Sequence, residues 1–178
     1  MEYELSCIII RVLLEYEGAN MEIKIRKFKE SDAETIATLV QRNFREVNVQ
    51  DYSIEEMEKL AKEFNSNKIR KTASYANTYV AVDKSDTIVG TGSISNFFGS
   101  MTESILLTIF VLPELQRKGI GKAIIQALEN DELFTRASRV EIPASKTACA
   151  FYEKMGYLYK NGVKQLDGDG HYRMEKVK

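Results

Sequence analysis

The sequence predicts an α/β fold in which a mixed β-sheet is flanked by helices. Residues 105–112 form a continuous apolar, β-branched run, which is typical of a buried central strand. Residues 21–28 alternate apolar and charged side chains, which favours a half-buried strand. Several segments between the strand candidates carry apolar residues at helical spacing. We therefore expect the order strand, two helices, three strands, helix, strand, helix and two strands.

The first helical segment follows the strand at residues 21–28. Ser31 or Asp32 is expected to cap it, because short polar side chains accept bonds from free N–H groups at a helix start. Its apolar face consists of Ala33, Ile36, Ala37, Val40 and Phe44. Ser53 and Glu56 have the spacing of a capping box and predict a second helix.

The remaining elements are read from turns and from the period of the apolar residues. Residues 78–82 and 87–95 predict a hairpin, and Pro113 ends the central strand because proline has no N–H for a sheet. Gly156 is expected to end a helix at residues 145–155 in a left-handed conformation. The other predicted elements are a helix from residue 120, a strand at 139–143 and strands at 157–159 and 171–177.

Composition limits the classes of function. The 178 residues and 44% hydrophobic content suit one folded domain, which we place at residues 21–178. A net charge of −1 argues against nucleic-acid binding through a basic face. Two scattered cysteines and one histidine predict neither a disulfide framework nor a metal site, and they indicate a reducing, cytoplasmic compartment.

Residues 1–20 read as an N-terminal extension of that domain. Their apolar run is too short to cross a bilayer and lacks the features of a signal peptide, so we expect no membrane partner. The segment could form an extra helix or an edge strand. Alternatively, codons for residues 17–19 can contain a bacterial ribosome-binding sequence, and we hypothesise that translation starts at Met21 with residues 1–20 a mis-called extension.

A glycine-containing loop links the central strand to the helix that follows. Free N–H groups and the dipole at a helix start attract anions, and glycine lets the backbone approach a phosphate. Arg117, Lys118 and Lys122 add positive charge to the same place. A P-loop is excluded because Ala123 follows Gly121-Lys122, and a dinucleotide fingerprint is excluded because Ile124 occupies the third glycine position.

Two motifs together resemble one known family. Gln116-x-x-Gly119-x-Gly121 after a buried strand is similar to the acetyl-CoA pyrophosphate loop of the GCN5-related N-acetyltransferases (GNAT). The stretch SKTACAFYEKMGY, residues 145–157, resembles their second motif, in which Ser145 stands where the family often has Asn. The motifs occur in the expected order, and the resemblance covers nearly all of residues 21–178.

The resemblance implies a fold and a ligand. In the family two adjacent parallel strands splay apart, here residues 105–112 and 139–143, and acetyl-CoA lies in the gap as a pseudo-strand. The residues implied to contact it are Phe110, Val111, Leu112, Gln116, Arg117, Lys118, Gly119, Ile120, Gly121, Lys122, Ser145, Ala148 and Tyr152. Acetyl-CoA is the acyl donor, and no metal is implied.

The resemblance also implies the chemistry. An amine attacks the thioester directly, and Tyr152 matches the tyrosine that protonates the departing sulfur, as general acid. Glu103 is a candidate base, with an exposed structural role as the alternative, and His171 is a second candidate. Cys149 is expected to be buried rather than reactive.

The acceptor amine is not identified by these motifs. Its pocket is expected between the first two helices at residues 44–53, with the Phe97–Phe98 loop and the last hairpin; Asp51, Tyr52 and Phe98 are candidates. An alternative function is a catalytically silent acetyl-CoA sensor on the same fold, and a third is a protein or peptide N-terminal acetyltransferase. Many family members pair, so a homodimer stays open.

Overall fold

The computed structural model describes residues 10–16 and 19–178. Its strands are β1 (Ile10–Tyr16), β2 (Ala19–Lys27), β3 (Asn77–Val82), β4 (Ile88–Asn96), β5 (Glu103–Val111), β6 (Arg139–Ala144), β7 (Leu158–Tyr159) and β8 (Tyr172–Val177). Its α-helices are α1 (Ala33–Glu46), α2 (Ile54–Glu63), α3 (Ser66–Tyr75), α4 (Ile120–Glu129), α5 (Glu132–Thr135) and α6 (Cys149–Lys154).

Within the described residues, the strands form one sheet in the order β1-β2-β3-β4-β5-β6-β8-β7. Neighbouring strands are antiparallel except β5 and β6, which run parallel. The predicted α/β class with a mixed sheet is therefore confirmed, and β3 and β4 form the predicted hairpin. The parallel pair lies near the middle of the sheet, where the connection through α4 and α5 places it.

Helices cover both faces of this sheet, so its central strands are buried on both sides. Tyr79 and Ala81 of β3 pack with α4 and α6, whereas Val80 and Val82 of the same strand pack with α1, α2 and α3. The close approach of α4 to β4 requires glycine, because a Cβ on Gly92 would lie 2.5 Å from Ile124 Cγ2. A two-sided core of this kind holds the ends of β5 and β6 in place.

The helical layer differs from the predictions in several details. Helix α3 was missed because it is mostly polar, with only Ile69 and Thr72 buried; Asn65 caps it by accepting a bond from the Lys68 N–H at 3.1 Å. The expected cap of α1 was wrong, since α1 has no side-chain cap. The Asp32 carboxylate instead accepts bonds from Arg26 and from the Lys29 N–H. The capping box of α2 is confirmed.

The N-terminal part of the described chain extends the sheet. Strand β1 pairs with β2 along its whole length, from Ile10 opposite Ile25 to Tyr16 opposite Ala19. Residues 1–9 and 17–18, on which the predictions of an extension and of a start at Met21 partly rest, lie outside the described residues. The translation start stays a prediction.

Of the helices that the structure describes, none is long and apolar enough to cross a membrane.

Candidate active site

The parallel strands β5 and β6 separate midway along their length. They pair only at their amino ends, as far as Ile105 opposite Glu141. Beyond that point β6 continues against β8 to Ala144, while β5 continues against β4 to Val111. The carboxyl-terminal halves of the two strands therefore diverge, and a gap opens at the edge of the sheet where the predicted phosphate loop follows β5.

A bulge in β5 lies beside this gap. Thr91 of β4 faces Phe110, but Ser93 faces Leu107, so β5 contains one more residue than its partner between these positions. Thr108, inside the bulge, has a φ of +52°. The sequence carries no signal for this bulge, because a threonine is not a residue that prefers a left-handed backbone.

Backbone alternation decides which of the expected amides faces the gap. The Leu112 N–H donates to the Val89 carbonyl at 2.9 Å, so it is already engaged. In an antiparallel ladder bonded pairs alternate with non-bonded ones, which directs Phe110 toward β4 and Val111 away from it. The Val111 carbonyl confirms this direction, since it accepts bonds from the Asn43 and Gln116 side chains.

The loop after β5 has the backbone shape of an anion site. Arg117 and Gly119 have φ angles of +61° and +87°, and these two left-handed residues turn the chain into α4. Gly119 occupies the N-cap position without a side-chain cap, and the first turn of α4 carries no acidic residue. The N–H groups of Ile120, Gly121 and Lys122 therefore begin a helix whose start suits a phosphate.

The side chains of this loop divide into two groups. Arg117 and Lys122 are exposed, whereas Lys118 is half-buried. The Gln116 amide points inward, donating to Asn43 Oδ1 at 2.9 Å and to the Val111 carbonyl at 3.3 Å. Gln116 thus anchors the loop to the protein, and any contact it makes with a phosphate would come from its backbone.

Gly121 lies where α4 meets α6. A Cβ on Gly121 would be 3.4 Å from Phe151 Cζ and 3.9 Å from Val111 Cγ2. The helix start, the end of β5 and α6 therefore converge on one point. An extended ligand with a phosphate at one end fits this arrangement, because the loop after β5 provides backbone N–H donors and the Val111 amide of β5 faces the gap.

Tyr152 on α6 is buried next to other aromatic residues. Its ring centroid lies 5.1 Å from that of Phe151 and 6.1 Å from that of Tyr157, and burial raises the pKa of the phenol. No described residue hydrogen-bonds to the hydroxyl, yet the oxygen is not among the fully enclosed unpaired polar atoms of the described residues. Tyr152 is 6% exposed, and its raised pKa keeps the phenol protonated at neutral pH.

Ser145 and Ala148 precede α6. The predicted helix at residues 145–155 begins as a short 3-10 turn at residues 146–148, and the Ser145 side chain does not cap it. The Ser145 carbonyl accepts bonds from the Ala148 N–H at 3.1 Å and from Cys149 Sγ at 3.3 Å. Cys149 is 5% exposed, so the prediction that it is buried is confirmed, and burial raises the pKa of its thiol.

Glu103 lies at the amino end of β5, where β5 and β6 are still paired. Both of its carboxylate oxygens accept bonds from Arg139, and this contact lowers the pKa of Glu103. Arg139 also pairs with Glu141 and Glu175. A carboxylate held in this way stays ionised but accepts a proton poorly, which weakens its case as the base.

The expected acceptor region comes together only in part. Asp51, between α1 and α2, accepts bonds from the Thr147 N–H and hydroxyl at 2.9 Å each, and the Tyr52 hydroxyl donates to the Gly170 carbonyl at 3.1 Å. The loop at residues 44–53 therefore meets the start of α6 and the last hairpin. Phe97 instead stacks under Arg139 at the far end of β6, and Phe98 is 90% exposed.

His171 belongs to the same cluster as Tyr52. Their ring centroids are 5.9 Å apart, and His171 Nδ1 lies 4.0 Å from Asp167 Oδ1. Burial lowers the pKa of His171 more than the neighbouring Asp167 raises it. The imidazole is therefore neutral at pH 7 and able to accept a proton.

The fold and this cleft define a class: an α/β protein with two diverging parallel strands and, beside their gap, a loop and helix start that suit a phosphate. Comparison with family models matches residues 48–178 to the Acetyltransferase (GNAT) domain. The chain therefore belongs to the GNAT acetyltransferase family, and it is an acyltransferase that uses acetyl-CoA as its acyl donor. No protein in a search of curated sequences matches it.

Solved structures show the same fold. The PaiA N-acetyltransferase from Thermoplasma acidophilum, in complex with coenzyme A, has a TM-score of 0.73 and 22% identity, covering 88% of this chain and 99% of that one. A GCN5-related N-acetyltransferase from Rhodopseudomonas palustris has a TM-score of 0.70 and 21% identity, covering 95% and 98%. Ard1 from Thermoplasma volcanium has a TM-score of 0.60 and 19% identity, covering 87% and 97%.

Proposed function

We propose that the protein is an N-acetyltransferase that transfers the acetyl group of acetyl-CoA to a primary amine of a small molecule or peptide. The observation that carries this proposal is the separation of β5 and β6 after Ile105, with the Val111 amide turned toward the gap. Acetyl-CoA supplies the activated thioester, which the amine attacks directly.

The proposed cofactor contacts follow the backbone. The N–H groups from Arg117 to Lys122 hold the pyrophosphate, supported by the left-handed turns at Arg117 and Gly119. The end of β5, residues Phe110 to Leu112, lies along the pantetheine, and the backbone N–H of Val111 is the one that faces it. Ser145 and Ala148 approach from the start of α6.

Tyr152 is proposed to protonate the departing sulfur as general acid. Its neutral phenol carries the proton at neutral pH, and the absence of a hydrogen-bond partner among the described residues leaves the hydroxyl available. A hydroxyl already committed to a carboxylate, like that of Tyr157 with Glu129 at 3.2 Å, would not be free in this way.

His171 is proposed as the proton acceptor in preference to Glu103. It is neutral at pH 7 and lies with Tyr52 in the cluster where the acceptor is expected, whereas Glu103 is held by Arg139. The amine is proposed to enter at the loop of residues 44–53, where Tyr52 bonds to Gly170 in the turn before β8 and Asp51 bonds to Thr147 before α6.

The test of this function is a panel of amines with acetyl-CoA, followed by thiol release and mass spectrometry of the acceptor. Small diamines, amino acids and peptides with free N-termini separate a small-molecule enzyme from a peptide N-terminal acetyltransferase. The expected result is transfer to at least one amine. Tight acetyl-CoA binding without transfer to any amine would favour the silent sensor instead.

The assembly and location are also proposals. We propose a cytoplasmic protein, supported by a composition with only two cysteines. A homodimer is tested by light scattering during gel filtration, in which a monomer mass would contradict it.

A further inference from the structure

Asn43 is a buried polar residue on the apolar face of α1. It is 2% exposed and lies beside Leu39, Val40 and Phe44, which belong to the core. Burying an amide costs free energy unless its donors and acceptor are bonded, so the contacts of Asn43 indicate what it is for.

Its side chain reaches from α1 to both ends of the turn that follows β5. Nδ2 donates to the Leu39 carbonyl at 2.9 Å and to the Val111 carbonyl at 3.0 Å. Oδ1 accepts the Gln116 amide at 2.9 Å, and that amide also approaches the Val111 carbonyl at 3.3 Å. Asn43, Val111 and Gln116 therefore form a closed triangle of hydrogen bonds.

The triangle satisfies a backbone carbonyl that has no partner strand. Val111 faces the gap left by β6, so its carbonyl has no strand partner on that side, and the two side-chain amides satisfy it instead. The bond keeps the last residue of β5 extended, with its N–H directed into the gap. The Gln116 side chain, bonded to Asn43 and to the Val111 carbonyl, anchors the loop one residue before Arg117, the first loop residue with a left-handed backbone.

A second contact from the same turn of α1 supports the same loop. Arg42 donates to both carboxylate oxygens of Glu114 at 3.0 Å. This pair is exposed and screened by solvent, and exposed ion pairs stabilise little. The buried amide of Asn43 is therefore the contact that sets the position of the loop.

We propose that Asn43 is a positioning residue for acetyl-CoA: through Val111 and Gln116 it holds the β5 amide and the loop N–H groups in the spacing that the cofactor requires. The inference rests on the proposed placement of acetyl-CoA on these groups. Asn43 itself does not touch the cofactor. It acts on affinity for the nucleotide part rather than on the acetyl-transfer step.

The test compares CoA binding by calorimetry in the wild type, Asn43→Ala, Gln116→Ala and the double variant. Each single variant should bind CoA about tenfold more weakly, as expected for loss of one well-placed hydrogen-bond network. The double variant should bind CoA more weakly than either single variant but by less than the sum of their losses, because the Asn43–Gln116 bond is lost in both single variants. Additive losses, or wild-type affinity in a folded Asn43→Ala protein, would overturn the proposal.

Thr72→Val is the matched control for a purely structural effect. Thr72 is also buried in the helical layer and its hydroxyl bonds to the Lys68 carbonyl at 3.1 Å, far in the chain from the loop. It should lower thermal stability without changing CoA affinity. If Asn43→Ala does not fold, Gln116→Ala at its less buried position still removes the bonds to Asn43 and Val111, and it should by itself weaken CoA binding.

Amide hydrogen exchange provides a readout without ligand. Asn43→Ala should speed exchange of the amides at residues 111–119 by about tenfold or more, while those of α3 stay unchanged. Unchanged exchange at residues 111–119 would show that Asn43 does not hold the loop. A wild-type protein that fails to bind CoA would contradict the proposed function, whereas the exchange result would still decide the role of Asn43.

Discussion

Arg139 holds both carboxylate oxygens of Glu103, with Nε to Oε1 and Nη2 to Oε2 at 3.0 Å each. This contact ties the start of β5 to the start of β6, at the end of the strand pair that remains closed. It lowers the pKa of Glu103, which argues against this carboxylate as the base.

The first prediction concerns the base. Replacing His171 by Gln should lower kcat/KM by about 100-fold, the size expected for loss of a general base. It should also remove the decrease of kcat/KM at acidic pH, which is the acid limb of the pH profile. His171 accepts a proton only when neutral, and its pKa lies below the usual 6.5. Wild-type kcat/KM should therefore fall as the pH drops through a value below 6.5.

Glu103→Gln is the comparison for that prediction. It should keep the acid limb and most of the kcat/KM, because Glu103 is paired with Arg139. The pH profile is measured with an amine found in the substrate panel. A His171→Gln enzyme with an unchanged profile, or a Glu103→Gln enzyme without its acid limb, would reverse the assignment.

The second prediction concerns the acid. Tyr152→Phe should lower kcat by about 100-fold and leave CoA affinity unchanged, because only proton donation is lost. Thermal stability should change little, since no described residue bonds to the hydroxyl. Tyr157→Phe is the control: it removes the bond to Glu129, should cost about 1 kcal/mol of stability, and should keep turnover. Equal turnover in the two variants would argue against Tyr152 as the acid.

The third prediction concerns the loop. Gly119→Ala should weaken both CoA binding and stability, because a φ of +87° costs a non-glycine residue about 1–2 kcal/mol. A Cβ there would also lie 2.9 Å from Leu14 Cδ2. Gly119 therefore does not separate binding from folding.

Gly121→Ala does separate them. Gly121 lies in the first turn of α4, and alanine favours helix more than glycine does. The added Cβ would lie 3.4 Å from its nearest neighbour, Phe151 Cζ. We expect an unchanged or raised melting temperature with CoA affinity reduced about tenfold or more, measured by calorimetry. Gly168→Ala, with open space around its Cβ, should change neither. Full CoA affinity in Gly121→Ala would place the pyrophosphate elsewhere.

The fourth prediction concerns stability at low pH. Burial alone would raise the pKa of Asp32, but bonds from Arg26 and the Lys29 N–H bring it below its usual range. The carboxylate is thus more acidic folded than unfolded. Its stabilisation is present above the unfolded pKa of about 3.9 and is lost as the pH falls from there through the lower folded pKa.

Asp32→Asn should therefore be about 3 kcal/mol less stable at pH 7, because the buried Arg26 charge loses its close partner and keeps only the exposed Asp86 carboxylate at 3.5 Å. The difference from wild type should shrink below about pH 4. Urea unfolding at pH 7, 5 and 3.5 measures it. A difference that stayed constant over this range would show that the charge of Asp32 does not contribute.

Local patterns predicted most of the elements. The capping box of Ser53 and Glu56 and the left-handed Gly156 depend on residues within a few positions of each other, and both are present. Helix α3 was missed because its buried residues are too few to give an apolar period. The bulge at Thr108 had no sequence signal, since it depends on how β5 must bend against β4 and β6.

The sequence alone determined most of the order of elements, the buried central strand and the two motifs at helix starts, because each of these depends on residues close together in the chain. Only the tertiary structure decided which partners distant side chains choose. Gln116 turns inward to Asn43, 73 positions away, and Glu103 pairs with Arg139, 36 positions away. Such contacts depend on which strands become neighbours, and local periodicity does not encode that choice.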